Sequence, residues 1–104
     1  GMGIFKYVRI KLKGNNTFLW ERNNCLVRFT INIKGGNNTI KLNDNIILDK
    51  VTIHISGNNC CLEIGKNGII KDTVLWIEDD DSKIIIGNDF SMESGHIAST
   101  EGKK

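Results

Sequence analysis

Ile40-Lys41-Leu42-Asn43-Asp44-Asn45-Ile46-Ile47-Leu48-Asp49-Lys50-Val51-Thr52-Ile53-His54-Ile55-Ser56-Gly57-Asn58-Asn59-Cys60-Cys61 is one full copy of a unit that recurs along this 104-residue chain. Its apolar residues come in three short alternating sets, Ile40/Leu42, Ile46/Leu48 and Val51/Ile53/Ile55. Alternation with a period of two puts each set on one face of a strand. Between the sets lie turn-forming residues: Asn43-Asp44-Asn45, Asp49-Lys50 and Ser56-Gly57-Asn58-Asn59. Three strands and three turns close one roughly triangular coil whose alternating positions share an interior.

The unit repeats every twenty-two residues without gaps, as in Ile33/Ile55/Ile77, Ile40/Leu62/Ile84 and Leu42/Ile64/Ile86. Ile31/Ile53/Leu75/Ile97 and Leu26/Leu48/Ile70/Met92 keep the same spacing. Phe18 and Trp20 take the Ile40 and Leu42 places in a more divergent first copy. Val8, Ile10 and Leu12 match Phe29, Ile31 and Ile33 at a spacing of twenty-one, which predicts an irregular first edge. Asn15/Asn37/Asn59/Asp81 and Asn23/Asn45/Asn67/Asp89 form polar columns in register. Asn tolerates left-handed backbone, and its amide can both donate and accept along a stacked ladder. Helical repeats run longer, at about 33 to 47 residues. A single-stranded parallel β-helix follows, with residues 1–12 as an N-terminal edge segment. Residues 13–104 then form about four coils and the start of a fifth. Stacked coils about 4.8 Å apart would turn the interior into aliphatic columns. In the column Asn24/Ile46/Gly68/Phe90, Gly68 beside Phe90 reads as small-beside-large packing, and Asn24 as the mark of a distorted first coil. Trp76, in register with His54 and Ala98, should face outward as a candidate contact surface.

Composition agrees. Ile occurs seventeen times and Asn thirteen, with no proline. β-Branched Ile suits strands. A formal charge of +2 is too small to imply nucleic acid. Lys6, Arg9, Lys11 and Lys13 alternate with apolar residues and read as a solvated strand face, with an anion- or membrane-binding arm as the competing role. No apolar run reaches transmembrane length, and the N-terminus lacks a signal-peptide core. Gly1 ahead of Met2 reads as a cloning remnant. Cys25, Cys60 and Cys61 show no metal-ligand spacing, so they are read as small core or turn residues in a reducing cytoplasm. No metal site is expected. Glu78-Asp79-Asp80-Asp81 reads as a solvated turn.

Two stretches, Ile64-Gly65-Lys66-Asn67-Gly68-Ile69 and Ile86-Gly87-Asn88-Asp89-Phe90-Ser91, resemble the hexapeptide repeat of left-handed β-helix acyltransferases. Two sides of each coil fit hexads, and the third carries four extra residues around Gly57-Asn58-Asn59-Cys60. With Trp76-Ile77-Glu78-Asp79 and Ser94-Gly95-His96-Ile97, the pattern from Lys13 onward is similar to the N-terminal part of bacterial acyltransferases of the surface or capsular polysaccharide type. The resemblance implies a left-handed coil and acetyl transfer from acetyl-CoA to a sugar hydroxyl or amine. It also implies a His general base and active sites between the subunits of a trimer. In that family the base and the CoA-binding coils follow the region seen here, so none of those residues carries over. The chain is therefore expected to be inactive alone, with no bound cofactor. His96 is the one candidate base. Its first reading is a buried or turn-stabilising residue, with Glu93 the nearest carboxylate in sequence. Self-association through the C-terminal coil is expected, most simply as a head-to-head dimer. Two other functions fit the pattern: a right-handed β-helix that binds or processes carbohydrate, and a non-catalytic interaction module. The general right-handedness of parallel crossovers favours the former.

Overall fold

A computed structural model describes residues 3–99. Among them are nine strands and no helix: β1 (Ile4–Leu12), β2 (Thr17–Leu19), β3 (Cys25–Ile33), β4 (Thr39–Leu42), β5 (Ile47–Ile55), β6 (Cys61–Ile64), β7 (Ile69–Ile77), β8 (Lys83–Ile86) and β9 (Ser91–Ser99). They form two parallel sheets, a long one in the order β1-β3-β5-β7-β9 and a short one in the order β2-β4-β6-β8. Each strand pairs with its equivalent one coil away, so the chain is a parallel β-solenoid of about four turns. From β3 onward the register is twenty-two residues, as in Ile31↔Ile53↔Leu75↔Ile97. Between β1 and β3 it is twenty-one, with Val8↔Phe29 and Leu12↔Ile33. The irregular first edge is therefore real, and residues 4–12 complete the long sheet.

The nine-residue strands are not straight. Leu48 and Val51 are both buried although three residues apart, so the in–out alternation must change phase between them. Lys50 makes that change with φ 58°, and Arg28, Asp72 and Ser94 repeat it at φ 50°, 51° and 65°. One left-handed residue per coil bends the long strand into two straight segments. At this corner the exposed Arg28 guanidinium meets Asp49 at 2.6 Å, a contact of about 0–1 kcal/mol for a surface pair.

The interior is the predicted set of columns. Ile33, Ile55 and Ile77 are 1%, 0% and 0% exposed, and Leu42, Ile64 and Ile86 are 1%, 0% and 7%. Phe29 is the largest fully buried side chain. Gly68 is buried, with Ile64 and Ile46 close to where its Cβ would stand, and Phe90 packs against the same core.

The turns stack through hydrogen bonds, though not all where the Asn columns predict. Asn45 Nδ2 donates to Asn67 Oδ1 at 2.9 Å, and Asn67 Nδ2 donates to Asp89 Oδ1 at 3.0 Å, which is the expected ladder. These three residues are left-handed, at φ 60°, 63° and 61°. Asn37, Asn59 and Asp81 are left-handed too, but their column carries a backbone ladder, Asn59 N–H to Gly36 O and Asp81 N–H to Asn58 O. Side-chain rungs run beside it instead. Gly36 N–H donates to Asn58 Oδ1 and Asn58 N–H to Asp80 Oδ1, each at 2.8 Å. Asn38 N–H donates to Asn16 Oδ1 at 2.9 Å and Cys60 N–H to Asn38 Oδ1 at 2.7 Å. In the first coil Gly14, not Asn15, has positive φ, at 70°.

At the N-terminal end large rings cover the core. Phe5 and Trp20 lie with centroids 4.8 Å apart, and Phe18 contacts both Trp20 and Phe29 at 6.4 Å. Asn24, in the same first coil, is fully buried. Its Oδ1 accepts the Ile46 N–H at 2.9 Å, while its Nδ2 has no partner among the described residues. Asn24 thus anchors the first coil to the second through one amide atom.

Candidate functional site

The outer face of the long sheet gathers the residues singled out for function. Its alternating positions form two adjacent columns, Arg9–Thr30–Thr52–Val74–His96 and Lys11–Asn32–His54–Trp76–Ala98. The left-handed corner sets their direction. Once Ser94 has changed the phase, Gly95 and Ile97 continue the inward rows of Thr73 and Leu75, and His96 points out. His96 is exposed. The expectation of a buried or turn-stabilising His is corrected on this point: its column is as read, but that column is the outer one. Among the described residues the one ion pair is Arg28–Asp49, so neither His96 nor His54 is paired with Glu93 or another carboxylate.

Trp76 faces outward as expected, is 38% exposed, and lies against His54 with ring centroids 4.3 Å apart and planes tilted by 31°. Parallel pairing places the two rings on neighbouring coils at the same height along the strand. The result is an exposed aromatic surface flanked by Thr52 and Val74.

Sequence reading did not single out a shallow groove of about 370 Å³ lined by Tyr7, Val8, Arg9, Arg28 and Thr30. It sits where the first two corners stack, and Tyr7 takes φ 56° there. The recurring corner position was the only available signal, and side-chain type at that position varies from Tyr to Arg to Lys.

The remaining candidates behave as turn and core. Glu78, Asp79, Asp80 and Asp81 are exposed, and the Asp80 carboxylate is occupied by the Asn58 backbone and side-chain amides. No group of three His, Cys, Asp or Glu among the described residues could hold a metal ion. Among the described residues no helix is long and apolar enough to cross a membrane. All three cysteines are free thiols.

Cys60 is 2% exposed, and its thiol donates to Asp79 O at 3.2 Å. Burial chiefly pushes its pKa up, opposed in part by the Ser82 backbone amide and reinforced by Asp80 and Asp81. A raised folded value means the native state holds this proton more tightly than the unfolded chain. The associated stability is present below the ordinary thiol range, about 8.5, and is lost as pH rises through the folded value. A disulfide-exchange reagent at pH 8 should therefore modify Cys25 and Cys61 first and Cys60 only slowly. Three equally fast thiols would show that Cys60 is not enclosed.

The fold and this surface define a parallel β-solenoid with a 22-residue repeat. No protein-family model matches the chain, and no curated protein matches it significantly.

Proposed function

We propose that this chain is part of a hexapeptide-type acyltransferase, wound left-handed, which transfers acetyl from acetyl-CoA to a sugar in bacterial surface or capsular polysaccharide synthesis. The observation that carries the reading is the way one Ile-Gly turn sits on the next. A Cβ on Gly65 would lie 2.5 Å from Asn88 Oδ1, 2.8 Å from Asn88 N and 2.8 Å from the Gly87 carbonyl carbon. Backbone cannot yield at such distances, so position 65 itself has room only for glycine, although the position in register one coil below holds Asn43 and a Cβ on Gly87 would meet nothing within 4 Å. Gly65 N–H to Ile86 O and Lys66 N–H to Asn88 Oδ1, both 2.8 Å, lock the two turns together.

In this reaction the sugar hydroxyl or amine attacks the thioester carbonyl, a base takes its proton, and CoA leaves as the thiol. The described coils supply scaffold in this reading, while the base and the CoA-binding coils lie outside them. The chain acts in the cytoplasm, where acetyl-CoA is made, and self-associates through its C-terminal coil. The exposed His54–Trp76 pair supports a second reading, a right-handed β-helix that stacks sugar rings against its outer face.

The test is release of free CoA thiol from acetyl-CoA in the presence of a panel of sugars. It compares this chain with the full product of its gene, extended by any residues encoded beyond Lys104. The extended protein should transfer acetyl; the 104-residue chain should neither transfer it nor bind acetyl-CoA in calorimetry. Failure of both to transfer to any sugar overturns the proposal, and sugar binding without any dependence on CoA supports the second reading. Micromolar acetyl-CoA binding by the shorter chain would bring His96 forward as the base.

A further inference from the structure

The groove at the first corner has no part in the acetyl transfer proposed above. Its shape follows from the register of β1 on β3. Lys6 pairs with Val27 and Val8 with Phe29, which sets Tyr7 beside Arg28; Arg9 pairs with Thr30. Tyr7 and Arg28 form one wall, Arg9 and Thr30 the other, and Val8 lies between them. The groove is thus a crease on the outer surface between two paired strands, and it makes no use of an unpaired strand edge. The left-handed Tyr7 and Arg28, at φ 56° and 50°, turn the chain between the two walls.

Two guanidinium groups line this space, and they are unequally matched by carboxylates. Asp49 Oδ1 accepts from Arg28 Nε at 2.9 Å and lies 2.6 Å from Nη2, while Nη1 takes no part in the pair. Arg9 has no carboxylate partner among the described residues. β1 adds Lys6 and Lys11 and holds no acidic residue, so the field at the groove is positive. The planar fork of a guanidinium matches the oxygens of phosphate or carboxylate. Contact with Asp49 restricts the Arg28 side chain in advance, which leaves less freedom to lose on binding.

Two neutral groups complete the lining. Tyr7 is 75% exposed, so its ring offers a flat apolar surface to the C–H face of a sugar ring. The Thr30 hydroxyl can donate or accept. We propose that this crease binds a sugar carrying an anionic group, a phosphate monoester or a carboxylate. Arg9 and Arg28 hold the anion, and Tyr7 and Thr30 hold the ring. The volume of about 370 Å³ lies at the low end of the range for ligand sites, about 300–1,000 Å³, which fits one ring with its substituent. The choice of a sugar rests on the function proposed above; the anion contact stands on the groove alone.

Calorimetry on the 104-residue chain at pH 7 tests this with glucose 6-phosphate, glucuronate, glucose and inorganic phosphate. No acetyl-CoA is present, so the result is independent of the transfer assay. Both anionic sugars should bind, and glucose about tenfold more weakly, the effect of losing a charged hydrogen bond. Arg9→Gln should weaken both anionic sugars by a similar factor. Lys13→Gln, which removes a basic residue outside the groove, should leave them unchanged. Tyr7→Asn keeps a residue that tolerates left-handed backbone; it should weaken the sugar phosphate and spare inorganic phosphate. Circular dichroism of each variant controls for folding, and Tyr7, Arg9 and Lys13 are exposed. Glucose binding as tightly as its phosphate, anion binding indifferent to R9Q, or no binding at all overturns the site. Inorganic phosphate binding as tightly as glucose 6-phosphate overturns the choice of a sugar. Retention on phosphatidylserine vesicles that R9Q abolishes, with no soluble sugar bound, overturns the proposal in favour of a membrane-binding arm.

Discussion

Phe29→Ala is expected to lower the unfolding free energy by about 4 kcal/mol, near the middle of the range for emptying a fully buried aromatic site. Total stability of a domain this size is roughly 5–15 kcal/mol, so the loss takes a large share of it. Phe29 is 0% exposed in β3, and its inward neighbours in register, Val8 and Val51, are both smaller. Its ring supplies volume that they do not, and Phe18 reaches it only from the side, at 6.4 Å. Strands fixed by parallel pairing above and below cannot move in to fill the space. Phe29→Leu, which keeps most of the volume, should cost about 1 kcal/mol. Urea unfolding of both variants is the measurement. An alanine variant within about 1 kcal/mol of the parent would mean that the first coil collapses freely and is not braced by its neighbours.

The second large effect is Asn38→Asp, with a loss of about 3–5 kcal/mol at neutral pH, the range for leaving a buried charge without its partner. Asn38 is 1% exposed and ties three coils together. It donates from Nδ2 to Gly57 O at 3.0 Å and accepts the Cys60 N–H at Oδ1, while its own N–H reaches Asn16. A carboxylate keeps the second contact but sets a negative oxygen against the Gly57 carbonyl. The protonated acid could donate there as the amide does. The folded pKa of the new Asp must then lie above its ordinary value of about 3.9. Its penalty is smallest below that value and grows as pH rises through the folded pKa. Asn38→Leu removes both contacts and should lose stability with no added pH dependence. Equilibrium unfolding at pH 4 and pH 7 separates the two variants. An Asp variant that is more stable at pH 7 than at pH 4, relative to the parent, would rule out the carbonyl contact as the dominant interaction.

The glycines extend the same reasoning to the turns. A Cβ on Gly57 would meet the Asp79 carbonyl carbon at 2.6 Å, just as one on Gly65 meets the turn above it. Both positions therefore reflect one cause, direct contact between the backbones of successive coils. Turn stacking, and not turn flexibility, is what demands glycine there.

Repetition made most of this protein legible from its residues alone. A single strand hides its register, but four copies of one pattern fix it, because apolar residues twenty-two apart can share an interior only when their strands lie in register. That reasoning located the inward columns, the left-handed Asn and Asp positions from Asn37 onward, though not Asn15 or Asn23, and the twenty-one-residue offset of Val8, Ile10 and Leu12. It also placed Trp76 on the outside. What it could not place was anything that depends on a neighbouring coil. The side-chain rungs run through Asn58 and Asn38 beside the left-handed residues, because only the stacked backbone decides which amide lies under which carbonyl. His96 was read near the core although its column, with Thr52 between the inward Val51 and Ile53, is an outward one; in its own strand the inward place before it is Gly95, which carries no apolar side chain to mark the alternation. The aromatic cover of Phe5, Phe18 and Trp20 likewise belongs to no single repeat. A repeat determines how one coil meets the next; the ends of the stack break that symmetry, and only the tertiary structure shows which side chains face outward there.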